Sequence, residues 1–127
     1  MFEVSAELEF CAAHFHPDYD GKCRQVHGHN YKVIVTVRSK ELDELGMVCD
    51  FYLVKKETRA LLEEFDHKLI NEHEDFKDRS PSSEHLAKYF FDRLQPKFDV
   101  NHHWLHSIAV WETDRTAAKY IRPEDVA

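Results

Sequence analysis

Polar and apolar residues alternate without a break at the start of the chain. Phe2, Val4, Ala6, Leu8, Phe10 and Ala12 share one parity, and Glu3, Ser5, Glu7 and Glu9 take the other. A period of two over this length predicts a strand with one buried face. His14 has the parity of the apolar set and prolongs that face. Residues 15–26 contain Pro17, Asp18, Tyr19, Asp20 and Gly21, a turn-rich loop. A second alternation follows, with Tyr31, Val33, Val35 and Val37 on one side and Asn30, Lys32, Thr36 and Arg38 on the other. His27 and His29 carry the parity of the valines. The two strands are expected to pair as antiparallel neighbours across the loop.

The period then changes. After a charged connection over 38–45, Asp50 can cap a helix in which Val54, Thr58, Leu61, Leu62 and Phe65 recur at helical spacing. That helix is expected to run into Phe65-Asp66-His67-Lys68-Leu69-Ile70-Asn71. Ser80-Pro81-Ser82-Ser83-Glu84 is a second helix start, with Ser80 as cap and Pro81 in the first helical position. Leu86, Phe90 and Leu94 form its apolar stripe, Tyr89 flanks it, and Pro96 marks its end. Trp104–Trp111 is β-branched and aromatic and reads as a third strand. Thr113-Asp114-Arg115 turns the chain into a short fourth strand over Thr116–Ile121. The expected fold is α+β: strand, strand, helix, helix, strand, strand, with a four-stranded antiparallel sheet carrying both helices on one face. Such a sheet leaves two edges and a second face to protect, and oligomerisation would close both.

Composition narrows the function classes. The 127 residues fit one domain, and 43% hydrophobic residues suffice for a core. A formal net charge of -7 argues against nucleic acid as the main partner, because binding phosphate backbones needs a basic stripe. No apolar run has transmembrane length, and the alternating N-terminus does not read as a signal peptide. Three cysteines without framework spacing favour reduced thiols in the cytoplasm.

The ten histidines carry the candidate chemistry. His14 alone reads as a core histidine held by hydrogen bonds. His27 and His29, two residues apart, point to one face of a strand. Two neighbouring strands that each bring histidine to the apolar face at the same loop end supply three imidazoles, the ligand set of a catalytic zinc with an open position. Cys23 lies four residues before the pair, between Lys22 and Arg24. Those cations and a nearby metal favour its thiolate. Cys11 and Cys49 lack such neighbours and read as structural. Asp66-His67 is either a proton-transfer pair or a helix-end charge arrangement; on a helix, adjacent residues would have to act on a shared third group. Glu112 is either a solvated strand-end residue or a carboxylate accepting two hydrogen bonds from a guanidine-like ligand edge.

Six segments fall in a familiar order: Ala12-Ala13-His14; Cys23 with His27-Gly28-His29; Gly46-Met47-Val48 followed by Asp50-Phe51; Asp66-His67 with Leu69 and Asn71; Pro81, Ser83 and Glu84; and Trp111-Glu112-Thr113. Together they resemble the 6-pyruvoyl-tetrahydropterin synthase and 6-carboxytetrahydropterin synthase family over nearly the whole chain. Asp50-Phe51 is more similar to the bacterial carboxy branch, which supplies queuosine synthesis. The resemblance implies a tunnelling fold whose sheets join into an oligomeric β-barrel, typically a homohexamer, with active sites between subunits. It implies zinc on His14, His27 and His29, Cys23 as general base, and Asp66 and His67 as a second proton-handling group serving a neighbour's zinc. Glu112 would hold the pterin, and Lys22, Arg24 and Lys32 are candidates for phosphate contacts. The implied substrate is 7,8-dihydroneopterin triphosphate, and the products are 6-carboxytetrahydropterin, acetaldehyde and triphosphate. The rivals are the pyruvoyl reaction on the same fold, a non-catalytic zinc- or pterin-binding module, and a metal-dependent hydrolase that needs no thiol.

Overall fold

The computed structural model describes residues 1–126; Ala127, the last residue of the expected domain, lies outside them. The two alternating segments form long paired strands, β1 (Phe2–His14) and β2 (His27–Ser39). They run antiparallel in unbroken register from Phe2 opposite Ser39 to His14 opposite His27. The even residues of β1 from Ala6 and the odd residues of β2 from Tyr31 are buried, as the parity predicts. Phe10 stacks on Tyr31, with ring centroids 4.8 Å apart, and begins the core.

Helix α1 (Phe51–Leu62) starts where expected, with the Asp50 carboxylate accepting from the Tyr52 N–H at 2.9 Å. It buries Val54, Thr58, Leu61 and Leu62. It stops at Leu62, earlier than its sequence pattern suggests, and Phe65 reaches the core from the turn that follows. His67, with φ of 60°, redirects the chain into a two-residue strand, β3 (Lys68–Leu69), which pairs parallel to β1 at Ala12 and Ala13. The sheet therefore has five strands and not four. Two residues are too short to show a period, and this strand is set by bonds to Cys11: the Asp66 carboxylate accepts its N–H at 2.9 Å, and its carbonyl accepts from the His67 N–H.

Helix α2 (Ser83–Phe98) also departs from expectation at both ends. Ser82, not Ser80, caps it by accepting from the His85 N–H at 3.1 Å. Pro96 lies inside its last turn, where the missing donor costs one bond and the Asp99 N–H still reaches the Gln95 carbonyl. Strands β4 (His103–Thr113) and β5 (Thr116–Ile121) complete an order β3-β1-β2-β4-β5, open at both edges. The core lies between one face of this sheet and the two helices, with Leu86, Phe90 and Leu94 of α2 fully enclosed. No helix among the described residues is long and apolar enough to cross a membrane.

A polar network fastens α2 to the turn after α1. Arg93 donates to both oxygens of Glu64, at 3.1 and 2.6 Å, and His73 lies 3.0 Å from the same carboxylate. The hydrogen bonds from Arg93 lead in holding the Glu64 carboxyl below its ordinary 4.5; burial opposes them, and the His73 hydrogen bond adds a smaller lowering. A depressed carboxylate adds stability above its unfolded value and loses it as pH falls through its folded value. Thermal melts between pH 6 and 3 should therefore lose stability more steeply in the wild type than in Glu64→Gln. Parallel pH profiles for the two proteins would refute the linkage.

Candidate metal centre and active site

The end of the first hairpin concentrates the chemistry. Antiparallel register sets His14 opposite His27 and Ala12 opposite His29, so one strand end presents one imidazole and its neighbour two. The Nε2 atoms of His14 and His27 are 3.0 Å apart. Glu112 approaches from β4, with Oε1 2.8 Å from Nε2 of His29 and 3.5 Å from Nε2 of His14. One ligand atom from each of these four residues lies within 4.8 Å of all the others, a group that can hold a metal ion.

The hydrogen-bond partners decide which ring nitrogens are free. Nδ1 of His27 lies 2.8 Å from the Gln25 carbonyl, and Nδ1 of His14 lies 3.2 Å from the Pro81 carbonyl and 2.8 Å from the Tyr31 hydroxyl. A carbonyl only accepts, so we assign the proton of each ring to Nδ1 and leave a lone pair on each Nε2. Two lone pairs then face each other at 3.0 Å. Nε2 of His29 is buried without a hydrogen-bond partner, although a Glu112 oxygen stands 2.8 Å away. Converging lone pairs and an orphaned buried nitrogen are costly without a cation between them, and a divalent ion removes both costs.

Burial supports the same protonation. His14 is fully enclosed and its pKa is lowered to about 4, chiefly by desolvation, with Glu112 opposing and the neighbouring histidines adding. His29 is lowered for the same leading reason. Both rings are neutral near pH 7, the form that binds metal. Burial and the Glu112 charge push the Tyr31 hydroxyl upward, so it remains a neutral partner for His14.

The model of one protein family, described as 6-pyruvoyl tetrahydropterin synthase, matches residues 3–123. The chain belongs to that family. A 6-carboxy-5,6,7,8-tetrahydropterin synthase of Bacillus subtilis is 40% identical over 104 residues, covering 78% of this chain and 69% of that protein. The protein of the same name from Synechocystis is 36% identical over 128 aligned positions, covering 97% and 95%. Among solved structures, the 6-pyruvoyl tetrahydropterin synthase of Caenorhabditis elegans superposes with a TM-score of 0.83 at 30% identity, covering 95% of each chain. The expected tunnelling-fold unit is thereby established, as an open five-stranded sheet with two helices.

The remaining residues that the family motifs single out are distributed unevenly. Cys23 sits half-buried in a 3₁₀ turn (Lys22–Arg24), its carbonyl accepting from the His16 N–H at 2.7 Å. It stands outside the four-residue group. Asp66 and His67 also lie apart from that group. They contact each other directly, Oδ1 to Nδ1 at 3.0 Å, because they occupy a turn and not a helix. No shared third group is needed to couple them. Backbone and side-chain hydrogen bonds, led by that from the Cys11 N–H, hold the Asp66 carboxyl below its ordinary value.

Cys11, which the sequence reads as structural, stands on the outer face of β1. It is exposed, donates to Asn30 Oδ1 at 3.0 Å, and forms a second close group with Asp66 and His67. Its odd number in β1 placed it on the outer face, and that parity was legible. An open cleft of about 480 Å³ there is lined by Cys11, Gly28, His29, Asn30 and His67. Cys49 is buried, and burial raises its thiol. Ser83 is a further missed member: its hydroxyl donates to Glu112 Oε2 at 3.2 Å. Lys32 is engaged with Glu7 at 3.9 Å and lies over the Trp111 ring.

Proposed function

We propose that this chain, as a single domain of residues 1–127, is a zinc-dependent 6-carboxy-5,6,7,8-tetrahydropterin synthase. It would convert 7,8-dihydroneopterin triphosphate to 6-carboxytetrahydropterin, acetaldehyde and triphosphate, as a cytoplasmic step of queuosine synthesis. The observation that carries this reading is the convergence of three imidazole Nε2 atoms beside Glu112 in a chain of this family. Relatives from Bacillus subtilis, Synechocystis and Aquifex aeolicus, at 40, 36 and 34% identity, bear the carboxy name.

His14, His27 and His29 would hold the zinc. When bound, it supplies a Lewis acid that stabilises negative charge on the substrate side chain as a proton leaves carbon. Cys23 would take that proton as general base. Glu112 holds the amino and ring N–H edge of the pterin and sets its orientation before chemistry. Asp66 and His67 handle the second proton. Within one chain they group with Cys11 and not with the three histidines and Glu112, which supports their serving a neighbouring subunit. A sheet with two open edges and an exposed outer face supports closure into a barrel, as a hexamer.

The alternative is the pyruvoyl reaction, in which triphosphate leaves and the side-chain carbons stay; the C. elegans structure bears that name. The test is incubation of zinc-loaded protein with 7,8-dihydroneopterin triphosphate, followed by mass spectrometry and an acetaldehyde assay. Carboxytetrahydropterin with acetaldehyde is expected. A pyruvoyl product keeps the site and changes the reaction. Absence of turnover with zinc fully bound refutes both and leaves a binding module or an unrelated hydrolase.

A further inference from the structure

Glu112 stands at a break in the sheet. Trp111 pairs with Ala117 and Thr113 with Thr116, so the register shifts and leaves Glu112 with no partner on β5. Such an extra residue re-aims a side chain. Its Oε1 is turned to Nε2 of His29 and His14, at 2.8 and 3.5 Å, and its Oε2 accepts from Ser83 at 3.2 Å. Glu112 also lines a cavity of about 350 Å³, together with Ser83, Glu84 and the Thr116–Lys119 stretch of β5. The carboxylate, 29% exposed, belongs both to the lining of this cavity and to the group of three imidazoles.

We infer that Glu112 is the fourth ligand of the resting metal, and that a pterin ring removes it by claiming the same carboxylate. The inference rests on the function proposed above. The two engagements exclude each other for a simple geometric reason. A planar amino and ring N–H fork takes both carboxylate oxygens in parallel, whereas Oε1 is committed to the imidazole cluster. Three imidazoles and a carboxylate make a closed tetrahedral set, while a catalytic site needs an open position. Exchange of Glu112 from metal to pterin supplies that opening only when the correct ring is present. Ring recognition and access to the metal thus become one event, and a molecule bearing hydroxyls but no guanidine-like edge meets a closed site.

The test uses the intact protein loaded with cobalt(II), whose visible absorption reports its ligands. The probe is 7,8-dihydropterin without a side chain, which has no side-chain hydroxyls to bring to the metal. In the wild type, saturating dihydropterin should change the cobalt spectrum and 1,2-propanediol should not. In Glu112→Gln, the resting spectrum should already differ, dihydropterin should change it no further, and the metal should bind at least about tenfold more weakly. A resting spectrum and metal affinity in Glu112→Gln equal to wild type would overturn the assignment as ligand. A silent wild-type titration, or an equal response in Glu112→Gln, would overturn the exchange. The wild-type arm does not depend on the variant folding. Neither arm depends on turnover, so failure of the proposed reaction and failure of this inference are separately visible.

Discussion

Replacing His27 with alanine is expected to abolish zinc binding at stoichiometric concentrations, with affinity falling by more than about 100-fold, beyond the loss typical of residues that only orient a ligand. His27 is the informative member of the three because it is half-buried and its one orienting bond runs to a loop carbonyl at 2.8 Å. Its removal leaves the hydrophobic core intact. His14 is fully enclosed and bonded through Nδ1 to the Tyr31 hydroxyl. Its loss also strands a buried hydroxyl, at a cost of about 1–3 kcal/mol, and confuses metal loss with fold loss. Zinc at a hundredfold excess over its dissociation constant should stabilise the wild type by about 2.7 kcal/mol and leave His27→Ala unmoved. Calorimetric titration and zinc-dependent melting read these two quantities. Retention of tight zinc binding in His27→Ala would remove the centre from this hairpin end.

Cys23→Ala and His67→Ala should each be inactive with zinc fully bound, and an equal mixture of the two, unfolded and reassembled, should regain activity. The expectation follows from where the groups stand. In one chain Asp66 and His67 are clipped to Cys11 by the bonds that create β3, and Cys23 lies on the 3₁₀ turn before β2. If each site combines Cys23 of one subunit with His67 of another, neither variant alone builds a complete site, while random one-to-one assembly completes about a quarter of them. Activity in the mixture near that fraction, measured against the wild type reassembled in the same way, supports composite sites. A mixture as inactive as its parents would place both groups within one chain's site.

Much of this was legible from parity alone. Period-two alternation in β1 and β2 determined their buried faces, and the same counting carried His14, His27 and His29 onto one face at one end. A strand's side-chain period is fixed by its backbone, so residue numbers suffice. The Asp50 cap was equally local, one carboxylate and one N–H two residues on. Local periodicity was blind to β3, the early end of α1 and the direct Asp66–His67 contact. Those depend on a turn folding back onto Cys11, 55 residues away in the chain, and no local pattern encodes such a partner.

Glu112 marks the boundary. The sequence by itself put a carboxylate at the end of the third strand. Only the tertiary structure decided that the register shifts at Glu112, that Ser83 takes one of its oxygens, and that the other turns to His29. Which atoms meet at the site is set by pairing between strands β2, β4 and β5, and pairing register is a property of the folded sheet, not of any one segment.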